Sequence, residues 1–159
     1  MTTSAECMCC GNNGRLSSLP PRERIAADSH WRVAHAFGTG LLGWLVLMPL
    51  RHVTSVAELT DAEAAMLGQW QVRLSRALHA VTGCTKTYIA QFAEAEGHAH
   101  VHFHIIPRMR DQPVEQRGPK VFTRLGRPEH RDLSTAQRDE IAAKIRNHLE
   151  RGQTHRRTE

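Results

Sequence analysis

Residues 97–108 read GHAHVHFHIIPR, with histidines at 98, 100, 102 and 104 alternating with Ala99, Val101 and Phe103. Side chains alternate across a β-strand, so this run predicts four imidazoles on one side of a sheet. Val101, Phe103 and Ile105 then point to the other side, toward a core. A buried ring nitrogen without a partner costs about 1–3 kcal/mol, so the row must face solvent, a metal or a bound anion. Solvent suits one or two histidines better than a strict row of four.

Two chemistries fit such a row. Histidines at i and i+2 can chelate a metal such as zinc. Alternatively, a neutral imidazole can attack phosphorus while its neighbours donate to phosphate oxygens and the leaving group. Spacing alone does not choose between them.

Outward from the histidines, TYIAQFAE (87–94) reads as a strand, joined to the strand at 100–107 by a short Glu/Gly loop. Thr60 opens a capping box with Glu63, and Leu67, Trp70, Leu74, Leu78 and Val81 follow at helical spacing until Gly83 stops the helix. Earlier still, WRVAHAFG (31–38) and GWLVLMPL (43–50) read as strands around a turn at GTG. After Arg108 the chain turns to loop, and a last helix is expected from Ser134, with Gln137 as capping partner and Ile141, Ile145 and Leu149 on its buried stripe. Strands in sequence with one long and one terminal helix predict an α+β domain with an antiparallel sheet.

The 159 residues suit one domain, expected over 1–150 with a basic tail at 151–159. The apolar run Leu41–Leu50 is about half the ~20 residues that a membrane span needs. With no leader-like start, a cytoplasmic protein is expected. A formal charge of +5 favours anions. The tail reads as a solvated terminus, so nucleic acid is not expected as a partner. Cys7, Cys9 and Cys10 are crowded together, a pattern of metal binding rather than disulfides, whereas Cys84 reads as a small core residue.

HVHFHIIPR (100–108) has the form His-x-His-x-His followed by two apolar residues, and in this it resembles the histidine triad family. GWLVLMPLRHV (43–53) is similar to that family's upstream strand, and a capped helix lies between the two, as in the family. The resemblance implies a histidine-triad-like α+β fold: an antiparallel five-stranded sheet with a long helix and a C-terminal helix. It implies a hydrolase or transferase that cleaves nucleotidyl conjugates, either phosphoramidates or dinucleoside polyphosphates, at the α-phosphorus. His102 would be the nucleophile, His104 the donor to phosphate or leaving group, and His100 a support from the edge, with no catalytic metal. His98 would extend the anion site or stand in solvent.

The same resemblance extends to a structural zinc site of some bacterial members and of the related galactose-1-phosphate uridylyltransferases. By it, Cys7, Cys10, His52 and His100 would hold zinc and pin segment 7–10, with Cys9 able to replace either thiol. Phe37, Leu41 and Leu42 are candidates for a base pocket, and Gln91 for a sugar contact. Two departures bear on the substrate: Trp44 stands where many members carry a further histidine, and Glu96 where a phosphate-holding glutamine is common. They support an alternative, a zinc-stabilised nucleotide-binding module without turnover. A homodimer through the long helix and an edge strand is expected, with the loop and helix at 109–150 supplying a segment, GPKVFTRLG (118–126), that selects substrate.

Overall fold

The computed structural model describes residues 6–126 and 133–155. Its centre is a five-stranded sheet made of β1 (Ala26–Ala27), β2 (Trp31–His35), β3 (Leu45–Pro49), β4 (Lys86–Gln91) and β5 (Phe103–Arg108). The spatial order is β1-β2-β3-β5-β4 and every pairing is antiparallel. Directly paired residues share a face, so the register divides the sheet into two surfaces. Val33, Leu47, Phe103 and Gln91 form one cross-strand row, and Ala34, Val46, His104 and Ala90 form the neighbouring row on the opposite face.

The first face is the core. Helix α2 (Asp61–Thr82) and helix α3 (Thr135–His155) pack there. Trp70, Leu74 and Leu78 of one helix and Ile141, Ile145 and Leu149 of the other meet Trp31, Val33, Leu45, Leu47, Phe103 and Ile105. Cys84 joins this cluster as the small core residue expected. The buried indoles keep their polar edges satisfied, Trp31 donating to the Glu63 carbonyl (3.1 Å) and Trp70 to Asp28 (2.6 Å).

Both helix starts follow the predicted capping. The Thr60 hydroxyl accepts from the Glu63 N–H while the Glu63 carboxylate accepts from the Thr60 N–H. Ser134 and Gln137 exchange the same pair of bonds ahead of α3. Gly83 ends α2 with φ +68°, the left-handed backbone that glycine adopts without a Cβ clash.

Several boundaries differ from expectation. A two-residue edge strand, β1, and a short helix α1 (Met8–Asn13) add to the strands and helices expected from the sequence. Helix α3 runs through residues 151–155, the start of the supposed tail, while 156–159 lie outside the described residues. The histidine strand begins at Phe103 rather than His100, because its neighbour β4 stops at Gln91 and Ala93 turns the chain with φ +55°. Val101 N–H instead bonds the Val53 carbonyl at 2.7 Å.

Candidate functional site

The sheet face opposite the helices carries a cavity of about 400 Å³. Its floor is built by the sheet register: Arg32 and Ala34 of β2, Val46 and Met48 of β3, and His104 of β5. Met8, Cys9 and Asn12 of α1 close one side, and residues 92–95, His98, Phe122 and Leu125 close the others. An apolar cavity with a few convergent polar groups is the usual form of a small-molecule site.

His102 and His104 are held beside each other, ring centroids 4.9 Å apart. His102 Nδ1 lies 2.8 Å from the His100 carbonyl oxygen. A carbonyl only accepts, so this nitrogen carries the proton and Nε2 keeps its lone pair. His104 is fixed the other way round. The indole N–H of Trp44 donates to His104 Nδ1 at 3.0 Å, and an indole can only donate, so the proton of the neutral ring sits on Nε2. Burial lowers the pKa of His102 and takes that of His104 down to about 3, so both rings are neutral at pH 7. Phe122 packs edge-on against His104 and Trp44, with centroids 5.1 and 5.4 Å away.

A second centre lies on the N-terminal side of this row. Cys7 caps α1 and Cys10 follows one turn later, so both thiols project from one side of the helix. Asn13 ties the helix down, donating to the Pro49 and Leu50 carbonyls and accepting from Arg32 Nε at 2.7 Å. His100 donates from Nε2 to the Pro49 carbonyl (2.9 Å), which leaves Nδ1 facing Cys7 Sγ at 3.4 Å and Cys10 Sγ at 3.6 Å. His52 Nδ1 lies 3.3 Å from Cys10 Sγ. The four potential ligand atoms fall within 4.8 Å of one another.

These donors fit a tetrahedral metal. Sulfur at ~2.3 Å and nitrogen at ~2.05 Å from one ion, at the tetrahedral angle, stand about 3.6 Å apart, and the observed S···N distances are 3.3–3.6 Å. The His100 ring also has the usual outer bond of a metal-bound imidazole, its far N–H on a backbone carbonyl. Cys9, the third thiol, turns to the cavity instead, where burial pushes its pKa up to about 11. The four cysteines form no disulfide with one another.

The structure thus brings together Phe37, His98, His102 and His104 around the cavity, with Phe37 and His98 in ring contact at 5.8 Å. It separates the others. His100 does not join the row facing the cavity: its ring is buried against the cysteines, and only its carbonyl serves His102. Gln91 pairs with Phe103 and therefore shares the core-side face, so Phe92, one residue on, lines the cavity in its place. Glu96 is exposed and does not line the cavity, whereas Glu94 does. Leu41 packs with Trp44 and Leu42 is exposed, so neither contributes to the cavity wall. Arg32 and Phe92 were not singled out in the sequence, whereas Phe122 lies in the segment 118–126 expected to select substrate. The first is a charged residue amid the apolar strand WRVAHAFG, a signal that could have been read.

No family profile matches the sequence, and no curated protein does. Solved structures do match. A zinc-bound histidine triad family protein from Mycobacterium smegmatis covers 96% of this chain and 99% of its own, with TM-score 0.70 and 16% identity. The chain has the histidine triad fold. A hypothetical histidine triad nucleotide-binding protein from Sulfolobus tokodaii aligns over 91% of this chain and 93% of its own, with TM-score 0.68 and 16% identity. A histidine triad protein from Bradyrhizobium japonicum aligns over 85% and 94%, with TM-score 0.66 and 22% identity. Within this fold the cavity and the cysteine–histidine cluster sit on either side of the triad's first residue.

Proposed function

We propose that this protein is a histidine triad enzyme, a nucleotidyl hydrolase or transferase that works through a covalent nucleotide on His102. The observation that carries the reading is the His102–His100 bond, which frees Nε2 as a lone pair at a cavity of nucleotide size. In the first step Nε2 attacks the α-phosphorus, the P–Nε2 bond forms, and the leaving group departs with its electron pair. The carbonyl of His100 stabilises the positive charge that appears on the ring. His104 Nε2–H donates to a phosphate oxygen in the transition state, and His98 adds a second polar contact at the rim. In the second step water attacks phosphorus, the P–N bond breaks, and a proton passes to solvent. The nucleotide binding in the name of the Sulfolobus protein supports a nucleotide ligand here.

Zinc suits the cluster of Cys7, Cys10, His52 and His100, and the zinc-bound relative supports that choice. Two thiolates and two imidazoles make a closed structural site. Held by these four residues, a metal would tie α1 to the segment after β3 and to His100. We also propose a homodimer through α2 and the edge strand β4, where Val72 and Ile89 stand about half exposed. None of the described helices is long and apolar enough to cross a membrane, and a chain whose four cysteines form no disulfide suits the cytoplasm.

The test is turnover of adenosine and guanosine phosphoramidates and dinucleoside polyphosphates by the wild type and His102→Ala. Loss of turnover by roughly a thousandfold or more in the variant, with a nucleotide trapped on the wild-type ring, is expected. Nucleotide binding that survives the substitution, with no adduct and no turnover in the wild type, would establish a binding module instead.

A further inference from the structure

Trp44 is fully buried, and its indole N–H is spent on the triad's last imidazole. That bond does more than orient the ring. A His104 cation would need a proton on Nδ1, where it would meet the indole N–H head-on. Phe122 packs on the same ring at 5.1 Å and His102 at 4.9 Å, but the hydrogen-bond partner of Nδ1 is the Trp44 indole, which has no lone pair to accept an Nδ1 proton. Among the described residues, Nε2–H meets no acceptor, so it is left for a ligand. The other ionisable groups lining the cavity are His35, His98, Glu23, Glu94, Cys9 and Arg32, and both ring nitrogens of His35 are taken up by the backbone, Nδ1–H on the Ala36 carbonyl and Nε2 by the Gly43 N–H. His98, on the loop between β4 and β5, makes its ring contact with Phe37 rather than with His104. Glu23 stands at 3.7 Å from Arg32.

From this geometry we infer that Trp44 is a positioning residue that keeps His104 a neutral Nε2–H donor, and that the site therefore takes nucleotidyl anhydrides rather than phosphoramidates. The inference rests on the covalent reading of His102 and narrows its substrate class. In an anhydride the P–O bond breaks and a phosphate, polyphosphate or carboxylate leaves with the electron pair. Such an anion is stable at neutral pH and needs no proton. In a phosphoramidate the P–N bond breaks, and the amine must gain a proton as it leaves or depart as a strongly basic anion. A neutral, Trp-locked His104 can polarise a phosphate oxygen through its hydrogen bond but is a poor source of that proton. His102 cannot supply it either, because its Nδ1–H is committed to the His100 carbonyl and its Nε2 is forming the bond to phosphorus.

The experiment uses the full-length, zinc-loaded protein and two substrates that share a nucleoside, a 5′-phosphoramidate and a dinucleoside polyphosphate. The wild type is expected to favour the anhydride by about a hundredfold or more in kcat/KM, the range in which a general acid acts. Trp44→Phe keeps the aromatic bulk and removes the donor, and Trp44→His restores a titratable group. In either variant the ratio is expected to narrow by about tenfold, with the phosphoramidate rate now rising toward acid pH. Histidine ¹⁵N spectra of the wild type supply a readout that needs no variant: His104 is expected as the neutral Nε2–H form throughout pH 5–8.

Equal turnover of the two substrates by the wild type, or a His104 that carries its proton on Nδ1 or titrates within that range, overturns the inference while leaving the nucleophile in place. An unchanged ratio in folded Trp44→Phe overturns the role of Trp44. Turnover of neither substrate removes the reading beneath the inference, and the inference with it.

Discussion

His100 and His102 are two residues apart and serve different centres. Each gives one ring N–H to a backbone carbonyl, and the opposite nitrogen is what the site receives. His100 bonds Pro49 through Nε2 and shows Nδ1 to two thiols, whereas His102 bonds the His100 carbonyl through Nδ1 and is left with Nε2. The side chains are chemically identical, so the carbonyl each one finds decides whether it can serve as a ligand or a nucleophile. The centres also share a covalent link, because the carbonyl that orients His102 belongs to a residue of the cysteine–histidine cluster.

The largest test of this division is a crossover of two substitutions. His102→Ala is expected to abolish turnover while leaving metal content and Tm close to wild type. Cys10→Ser is expected to lose bound zinc and several degrees of Tm, measured by metal analysis and thermal unfolding, since α1 then loses its cross-link to β3. Turnover should fall far less than in His102→Ala, because the cavity face of the sheet does not depend on the thiol. If Cys10→Ser silences the enzyme as fully as His102→Ala at a temperature where it remains folded, the metal centre is also setting the nucleophile through the shared carbonyl.

The contrast between the two histidines is where strand alternation stopped, whereas the ligand set named from the family resemblance, Cys7, Cys10, His52 and His100, is the set the structure brings together. Local physics was legible: the Thr60–Glu63 and Ser134–Gln137 caps, the αL glycine at 83 and the core stripe of Phe103 and Ile105 all depend on residues a few positions apart. Strand alternation predicted one face for all four imidazoles, and it failed at His100 because pairing ends at Phe103. Beyond that point the ring is directed by thiols some 90 positions away. Gln91 was lost for a related reason, since one step of register decides which side of the sheet a residue meets. Phe122 lies on a short helical turn of a loop without periodicity, so nothing local announced its packing on His104.

Acid separates the centres by a smaller effect. In the proposed reaction His102 attacks only as the neutral ring, and burial places its pKa below the ordinary 6.5. The acid limb of kcat/KM is therefore expected below pH 6.5, falling about tenfold per unit once the ring protonates, with a slope of one proton. Activity is thus retained above that limb and lost as the pH falls through it. Zinc release involves up to two thiolates and two imidazoles, so its acid limb should be steeper than one proton. Turnover and metal content measured on the same samples test this. Coincident limbs of equal slope would mean that acid acts on activity through the metal centre.

The smallest effect is expected at the start of α2, which touches neither centre directly. Thr60→Ala removes the hydroxyl that accepts the Glu63 N–H and should cost about 1 kcal/mol of folding stability. It leaves the Glu63 carboxylate on Arg51, whose Nη2 lies 2.8 Å away and which immediately precedes the metal-cluster residue His52. Denaturant unfolding should therefore register the cap alone, with zinc affinity and turnover unchanged. Glu63→Gln, which weakens the Arg51 contact as well, is the companion measurement. If it lowers zinc affinity while Thr60→Ala does not, the Arg51–Glu63 pair is holding His52 in place. If Thr60→Ala alone lowers the affinity, the metal centre draws on the helix start, and the stability lost in Cys10→Ser cannot be assigned to the N-terminal cross-link by itself.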